Sequence, residues 1–339
     1  MQMIRAADVT VPTEIQTVAV IDRSGAANVG QGILGVLEGA LTGEAIGADT
    51  QGRREAVRGL REMLATSERY EVVMPVGIDR EQSLFDRELS WTAAAHICRS
   101  APCDAIIALE AFDSDTSDDV RSRQVERTDS NGGKYRVTEF TVERRTRVLT
   151  AWRIYHPSTR HVVDDLRDRS DSFSWRERGD SREQARSRLP SQSDTVRTSA
   201  YRAGQLYGRR IAPTPFWVAR PYYGKTAGND TLRLAKQNMK ARDYEGAITT
   251  YASLTDHPDP KVRGRAAFNT AVAEEALGRL ERSLTAARTA AVEMGNGRTR
   301  SYVMSIEGRI RQRDRVQEQL APPPEPAVPV SPGDGAMTR

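Results

Sequence analysis

Apolar residues run unbroken from Ala105 to Ala108, and Leu109 extends them between Pro102 and an Asp/Ser cluster. A short apolar run closed by polar residues is the pattern of a strand buried on both faces, and it predicts a central strand over 104–112. Ile15 to Ile21 (IQTVAVI) is alternating and β-branched, which predicts the first strand. Between these two lies a helix over 49–66, capped by Asp49 or Thr50, with Val57, Leu60 and Leu64 as its apolar stripe. A strand over 70–76 ends at Pro75, and a short helix over 89–98 starts at Ser90 and turns Trp91, Ala94 and Ala95 inward. Alternation of strand and helix predicts right-handed crossovers and a mainly parallel sheet.

Residues 113–133 read as a polar loop ending in Asn131-Gly132-Gly133. From Tyr135 to Tyr155 the pattern is extended and half-polar. A turn at His156–Arg160 and a return over 161–166 then predict an antiparallel hairpin added to the parallel core. Helices follow over 180–189 and 193–210. Pro213, Pro215 and Pro221 mark a linker-like passage where Phe216, Trp217, Tyr222 and Tyr223 are expected to pack over a joint.

Beyond it, Ala241-Arg-Asp-Tyr-Glu-Gly-Ala-Ile248 aligns with Leu277-Gly-Arg-Leu-Glu-Arg-Ser-Leu284 at a spacing of 36 residues. Helices are expected over 230–240, 245–254, 261–276 and 281–293, with small residues Ala247 and Ser283 where pairs approach. This pattern resembles tetratricopeptide repeats, whose period is about 34. A polar helix over 298–320 would cap them. The expected fold class is therefore α/β, or α+β, with a mainly parallel sheet plus hairpin over 1–220. A tetratricopeptide-like helical domain covers 221–320 and a disordered Pro-rich tail 321–339.

Composition narrows the function less than the fold. A net charge of +4 does not call for nucleic acid. Arginine supplies nearly all the positive charge, lysine standing only at 134, 225, 236, 240 and 261, but the arginines interleave with Asp and Glu rather than forming one basic block. No stretch approaches the ~18 apolar residues of a membrane helix, and no signal peptide is expected in this sequence.

The candidate chemistry is sparse. Gly30-Gln-Gly-Ile-Leu-Gly35 has dinucleotide spacing, yet it sits about eight residues past the strand, and Gly39, Gly43 and Gly47 interrupt the helix that should follow. His96, His156, His161 and His257 form no metal-ligand spacing, and the acidic run 113–119 lacks the Gly and Glu of a calcium loop. No cofactor is expected. Because α/β folds place ligands at the carboxyl end of the sheet, Asp22, Glu110 and Asp113 are the candidate ligand residues. Stacked helix pairs present grooves, so Asn238, Arg242, Asn269 and Glu274 are the candidate protein-binding residues. Cys98 and Cys103, the only cysteines, are separated by Arg99-Ser-Ala-Pro102. That loop lets their Cα atoms come within the ~4.4–6.8 Å of a disulfide; a pair of reduced thiols is the alternative.

Leu37-Glu-Gly-Ala-Leu-Thr-Gly-Glu44, Asp104–Asp113, Ala151-Trp-Arg-Ile-Tyr155, Ala203–Pro213 and Ala219-Arg-Pro-Tyr-Tyr223 resemble an uncharacterised family of bacterial envelope lipoproteins. The resemblance implies an N-terminal α/β domain, C-terminal tetratricopeptide-like helices and an anchored, periplasm-facing protein. The lipid-accepting cysteine of that family does not stand at the start of this sequence. The function expected is a non-catalytic protein-binding or scaffolding module of the cell envelope. The alternative is a small-ligand binder or enzyme at the carboxyl end of the sheet.

Overall fold

The computed structural model describes residues 1–24, 43–75, 88–226 and 228–323. In chain order its first elements are β1 (Gln2–Arg5), β2 (Thr17–Asp22), α1 (Gly43–Ala65), β3 (Glu71–Val73), α2 (Trp91–Ser100), β4 (Ala105–Thr128), β5 (Lys134–His156) and β6 (His161–Gly179). They are followed by α3 (Arg182–Ser187), α4 (Gln192–Ile211), β7 (Thr214–Trp217), α5 (Asp230–Ala241), α6 (Tyr244–Ala252), α7 (Pro260–Ala276), α8 (Leu280–Met294) and α9 (Gly297–Gln319). The chain forms two compact units. One takes Ala7–Ala212 with the described residues from Gln319 on, and the other takes Met1–Ala6 with Pro213–Glu318. No helix among the described residues is long and apolar enough to cross a membrane.

The first unit is an α+β arrangement on one five-stranded sheet of order β3-β2-β4-β5-β6. The expectation of a mainly parallel sheet is corrected here. Only β3–β2 and β2–β4 run parallel, over short stretches, whereas β4–β5 and β5–β6 are long antiparallel ladders. The supposed polar loop 113–133 is instead strand as far as Thr128, closed by a turn in which Asp129 accepts from the N–H groups of Asn131 and Gly133. Its Asp- and Ser-rich sequence has poor strand preference, so the strand is held by its partner. Every residue from Ala111 to Thr128 faces one on β5, and cross-strand pairs such as Arg144–Asp118 (2.7 Å) and Arg123–Glu139 (2.8 Å) stitch the ladder.

Two helices cover one face of the sheet. Val18, Val20, Ile107, Trp152 and Ile154 share a core with Leu60 and Leu64 of α1 and Ala203 and Tyr207 of α4, the Tyr207 ring stacking on Trp152 at 5.0 Å. Glycine sets the distance between these helices. A Cβ on Gly204 would lie 1.9 Å from the Ala56 carbonyl oxygen, and one on Gly59 would lie 2.0 Å from that of Tyr201. Helix α1 starts six residues before the expected Asp49 cap, with Gly47 inside it, and Asp49 is an interior residue. Strand alternation turns Ala19, Ile21, Ile106, Ala108 and Tyr155 to the other face, where Ala94 and Ile97 of α2 pack on them. Helix α2 begins as expected, Ser90 accepting from the Ala93 N–H.

The second unit holds five helices close to the expected positions, and Asn229, Asp243 and Asp259 cap α5, α6 and α7 through their side chains. Ala247 and Ser283 are fully buried, and the Ser283 hydroxyl donates to the Ala271 carbonyl at 2.7 Å. A two-stranded antiparallel sheet, β1 with β7, belongs to this unit, so the linker-like passage starts as strand. The Gly30–Gly35 segment, Leu37–Thr42 of the Leu37–Glu44 motif and the tail from residue 324 lie outside the described residues.

Candidate functional site

The three carboxylates expected at the carboxyl end of the sheet do not form one site. Strand alternation puts Asp22 on the same face as Val20, and its carboxylate accepts from the Ser24 N–H (2.9 Å) and hydroxyl (2.6 Å). Glu110 lies on the opposite face. There Arg23 Nη1 donates to both of its oxygens (2.8 and 2.7 Å), and the Tyr155 hydroxyl donates to one at 2.6 Å. Arg153 reaches the same Tyr155 oxygen at 3.1 Å and Asp165 at 3.1 Å, so Glu110 sits in a hydrogen-bonded chain that runs from Arg23 through Tyr155 and Arg153 to Asp165. Burial, then the Glu110 charge, push the Tyr155 phenol above its usual range. Asp113 is half-buried, and burial raises its carboxyl.

Among the described residues, Asp49 has a strongly raised carboxyl. Burial pushes it up to about 6 even though the Ser114 hydroxyl donates to it at 2.5 Å. Nothing in its sequence setting, a helix with arginines after it, distinguished it from a cap.

Cys98 and Cys103 are joined in a disulfide with Cα atoms 4.8 Å apart, tying the end of α2 to the start of β4. A shallow cavity of about 330 Å³ borders it, lined also by Arg99, Asp104 and His156. His156 is buried, and its two ring nitrogens are engaged by Ser158 (2.8 Å) and Thr159 (3.0 Å). Asp104 accepts from the backbone N–H groups of Gln16 and Thr17. The polar groups here close turns and strand ends.

In the helical unit the four candidate residues separate. Arg242 is exposed, in the left-handed conformation (φ 64°) that ends α5, and Asn238 is half-buried against Thr250. Glu274 is buried beside Arg279 at 3.7 Å and does not line an open surface. Asn269, 1% exposed, faces a chain segment, and that segment is the protein's own. Its Oδ1 accepts from the Tyr223 N–H at 2.8 Å, and its Nδ2 donates to the Tyr223 carbonyl at 3.0 Å and to the Tyr251 hydroxyl at 2.9 Å. One amide thus grips both backbone groups of one residue, the pairing a neighbouring strand would supply.

The rest of the passage is held in the same way. Arg220 donates to Glu275 of α7 (Nε 2.9 Å, Nη2 3.0 Å) and to Ser305 of α9 (3.1 Å). The Glu275 side chain is fully buried and also accepts from Arg309 and the Tyr302 hydroxyl, each at 2.7 Å. Burial first, and then Glu275, push the Tyr302 phenol well above its usual range. Arg298 donates to the Pro221 carbonyl (2.9 Å) and lies 4.2 Å over the Tyr223 ring, which meets Phe268 edge-on at 5.0 Å. Arg220 and Glu275 were missed from the sequence. A signal existed for Glu275: Phe268, Ala271, Val272 and Glu275 share one helical stripe, which puts a carboxylate on the apolar face of α7.

Comparison with known families agrees with the two-part organisation. A family described as Domain of unknown function (DUF8603) matches residues 15–223, and a second, Domain of unknown function (DUF6340), matches residues 233–308. No curated protein matches the chain.

Proposed function

We propose a function for a chain that belongs to the DUF8603 family, a name that assigns no activity: it binds and holds protein segments, as a non-catalytic scaffold. The observation that carries this reading is the grip of Asn269 on both backbone groups of Tyr223, because a surface that satisfies an extended backbone is built to hold a peptide. We read α5–α6 and α7–α8 as two tetratricopeptide-like repeats and α9 as their capping helix. The 36-residue spacing and the buried small residues Ala247 and Ser283 support that reading.

An envelope location, facing the periplasm, is part of the proposal, and the Cys98–Cys103 bridge supports it, since such bonds persist in oxidising compartments. The scaffold reading also draws on Glu110, whose oxygens are taken by Arg23 and Tyr155. One observation favours a ligand or catalytic role instead: Asp49, raised to about 6 beside Ser114, is in the range of a general acid or base.

A photo-reactive residue in place of exposed Arg242, in the full chain in cells, tests the scaffold reading. The expected result is crosslinking to one defined envelope protein, lost when Asn269→Ala is added. Diffuse crosslinks, or crosslinks indifferent to Asn269→Ala, overturn it.

A further inference from the structure

We infer that the surface of α7 and α9 holding residues 220–225 is a peptide site with a resident ligand. In trans it takes an extended segment carrying a basic residue and, three positions later, a tyrosine. This deepens the scaffold reading and rests on it.

The contacts divide into two kinds. Asn269 on Tyr223, Arg298 on the Pro221 carbonyl (2.9 Å) and Arg265 on the Lys225 carbonyl (3.3 Å) address backbone atoms, so they hold any extended chain. The side-chain contacts choose the sequence. Glu275, with Ser305, selects a guanidinium at the Arg220 position. Phe268 and Arg298 form a slot for an aromatic ring at Tyr223, with Asn296 3.5 Å from its hydroxyl. Proline at 221 fits because the contacts to that residue use its carbonyl and need no N–H.

Two features make the occupant exchangeable. First, residues 220–225 lie in no helix or strand and are held by these contacts and by the packing of Tyr222 and Tyr223 on the helical core, so they can lift away without unfolding a helix. Second, the buried carboxylate and the Asn269 amide nitrogen keep partners when the site is empty, and only Asn269 Oδ1 is left to water. Without Arg220, Glu275 still accepts from Arg309 and Tyr302, and without Tyr223, Asn269 still donates to Tyr251. An empty site that orphaned a buried carboxylate would be costly to open, and this one does not. The tether gives the resident segment a roughly millimolar effective concentration, so it excludes weak competitors and yields to a better one.

The test uses the full chain and a fluorescent peptide with the sequence of residues 218–226. Arg220→Ala with Tyr223→Ala removes the resident anchors and replaces no helical residue. The double variant is expected to bind the peptide at least ~10-fold more tightly than the unmodified protein, since the competent fraction sets the apparent affinity. A peptide with alanine at both positions should not bind, and adding Asn269→Ala should abolish binding. A folded double variant that binds no better than the unmodified protein overturns the inference. Should the double variant fail to fold, excess peptide on the unmodified protein decides. Residues 220–225 then lose hydrogen-exchange protection if the inference holds, and unchanged protection overturns it. Failure here with Arg242 crosslinks intact sinks the peptide site and leaves the scaffold reading standing.

Discussion

Replacing Asn269 with alanine removes three hydrogen bonds from a site that is 1% exposed: two to the Tyr223 backbone and one to the Tyr251 hydroxyl. At a net ~1 kcal/mol each, the floor of the loss is about 3 kcal/mol. Leaving all three partners buried and unpaired would cost more, up to ~3 kcal/mol each, but the Tyr223 groups escape to water if the segment lifts off. A loss near the floor is therefore expected, together with local release of the segment. Asn269→Asp should lose a similar amount at neutral pH, because its carboxylate faces the Tyr223 carbonyl with no donor to offer, and recover part of it in acid. Urea unfolding followed by circular dichroism measures the stability, and the rate of tryptic cleavage after Lys225 measures the release. An Asn269→Ala protein with an unchanged urea midpoint and unchanged cleavage at Lys225 would refute the reasoning.

Gly204→Val should unfold the first unit or lower its melting temperature sharply, because its first carbon would fall 1.9 Å from the Ala56 carbonyl oxygen; an unchanged melting temperature contradicts the close packing of α1 on α4. Joint replacement of Cys98 and Cys103 by serine should cost only about 2 kcal/mol in non-reducing urea titrations, because the loop closed is so short. A loss of ~5 kcal/mol would show that the bridge does more than restrict the unfolded chain. Asp49 holds its proton more tightly folded than unfolded, so its contribution is full below pH 3.8, declines as pH rises to about 6, and is flat above. Asp49→Asn should therefore be more stable than the unmodified protein at pH 7.5, with the gap closing towards pH 4; a gap independent of pH in thermal melts argues against that burial.

The helical unit was legible because its signals are local. The expected helices 230–240, 245–254 and 261–276 fall close to α5, α6 and α7, which the structure shows capped by Asn229, Asp243 and Asp259. Ile15–Ile21 and 104–109 were legible as strands because burial writes itself into β-branched and apolar runs. The distal half of β4 was not, since Asp, Ser and Arg have no strand preference there and only the ladder to β5 holds them extended. Nor was the β1–β7 pairing, whose partners lie more than 200 residues apart with no local mark of each other. At the candidate site, Asn269 was found by its place on a helix, but its partner was not. Whether a buried amide faces a stranger or the chain's own Tyr223 depends on the path of a segment without secondary structure, and no periodicity encodes that path. Arg220 was one arginine among many, distinguished only once Glu275 was seen buried beneath it.

The central claim, that the helical unit grips an extended segment by its backbone, is tested most directly at one atom. The Tyr223 amide belongs to no helix or strand and donates to a side chain alone, Asn269 Oδ1. Hydrogen exchange measured at that amide should be at least ~10-fold slower than in an unstructured peptide, and Asn269→Ala should return it to the coil rate while amides inside α7 stay protected. Exchange of the Tyr223 amide at the coil rate in the unmodified protein would contradict the account.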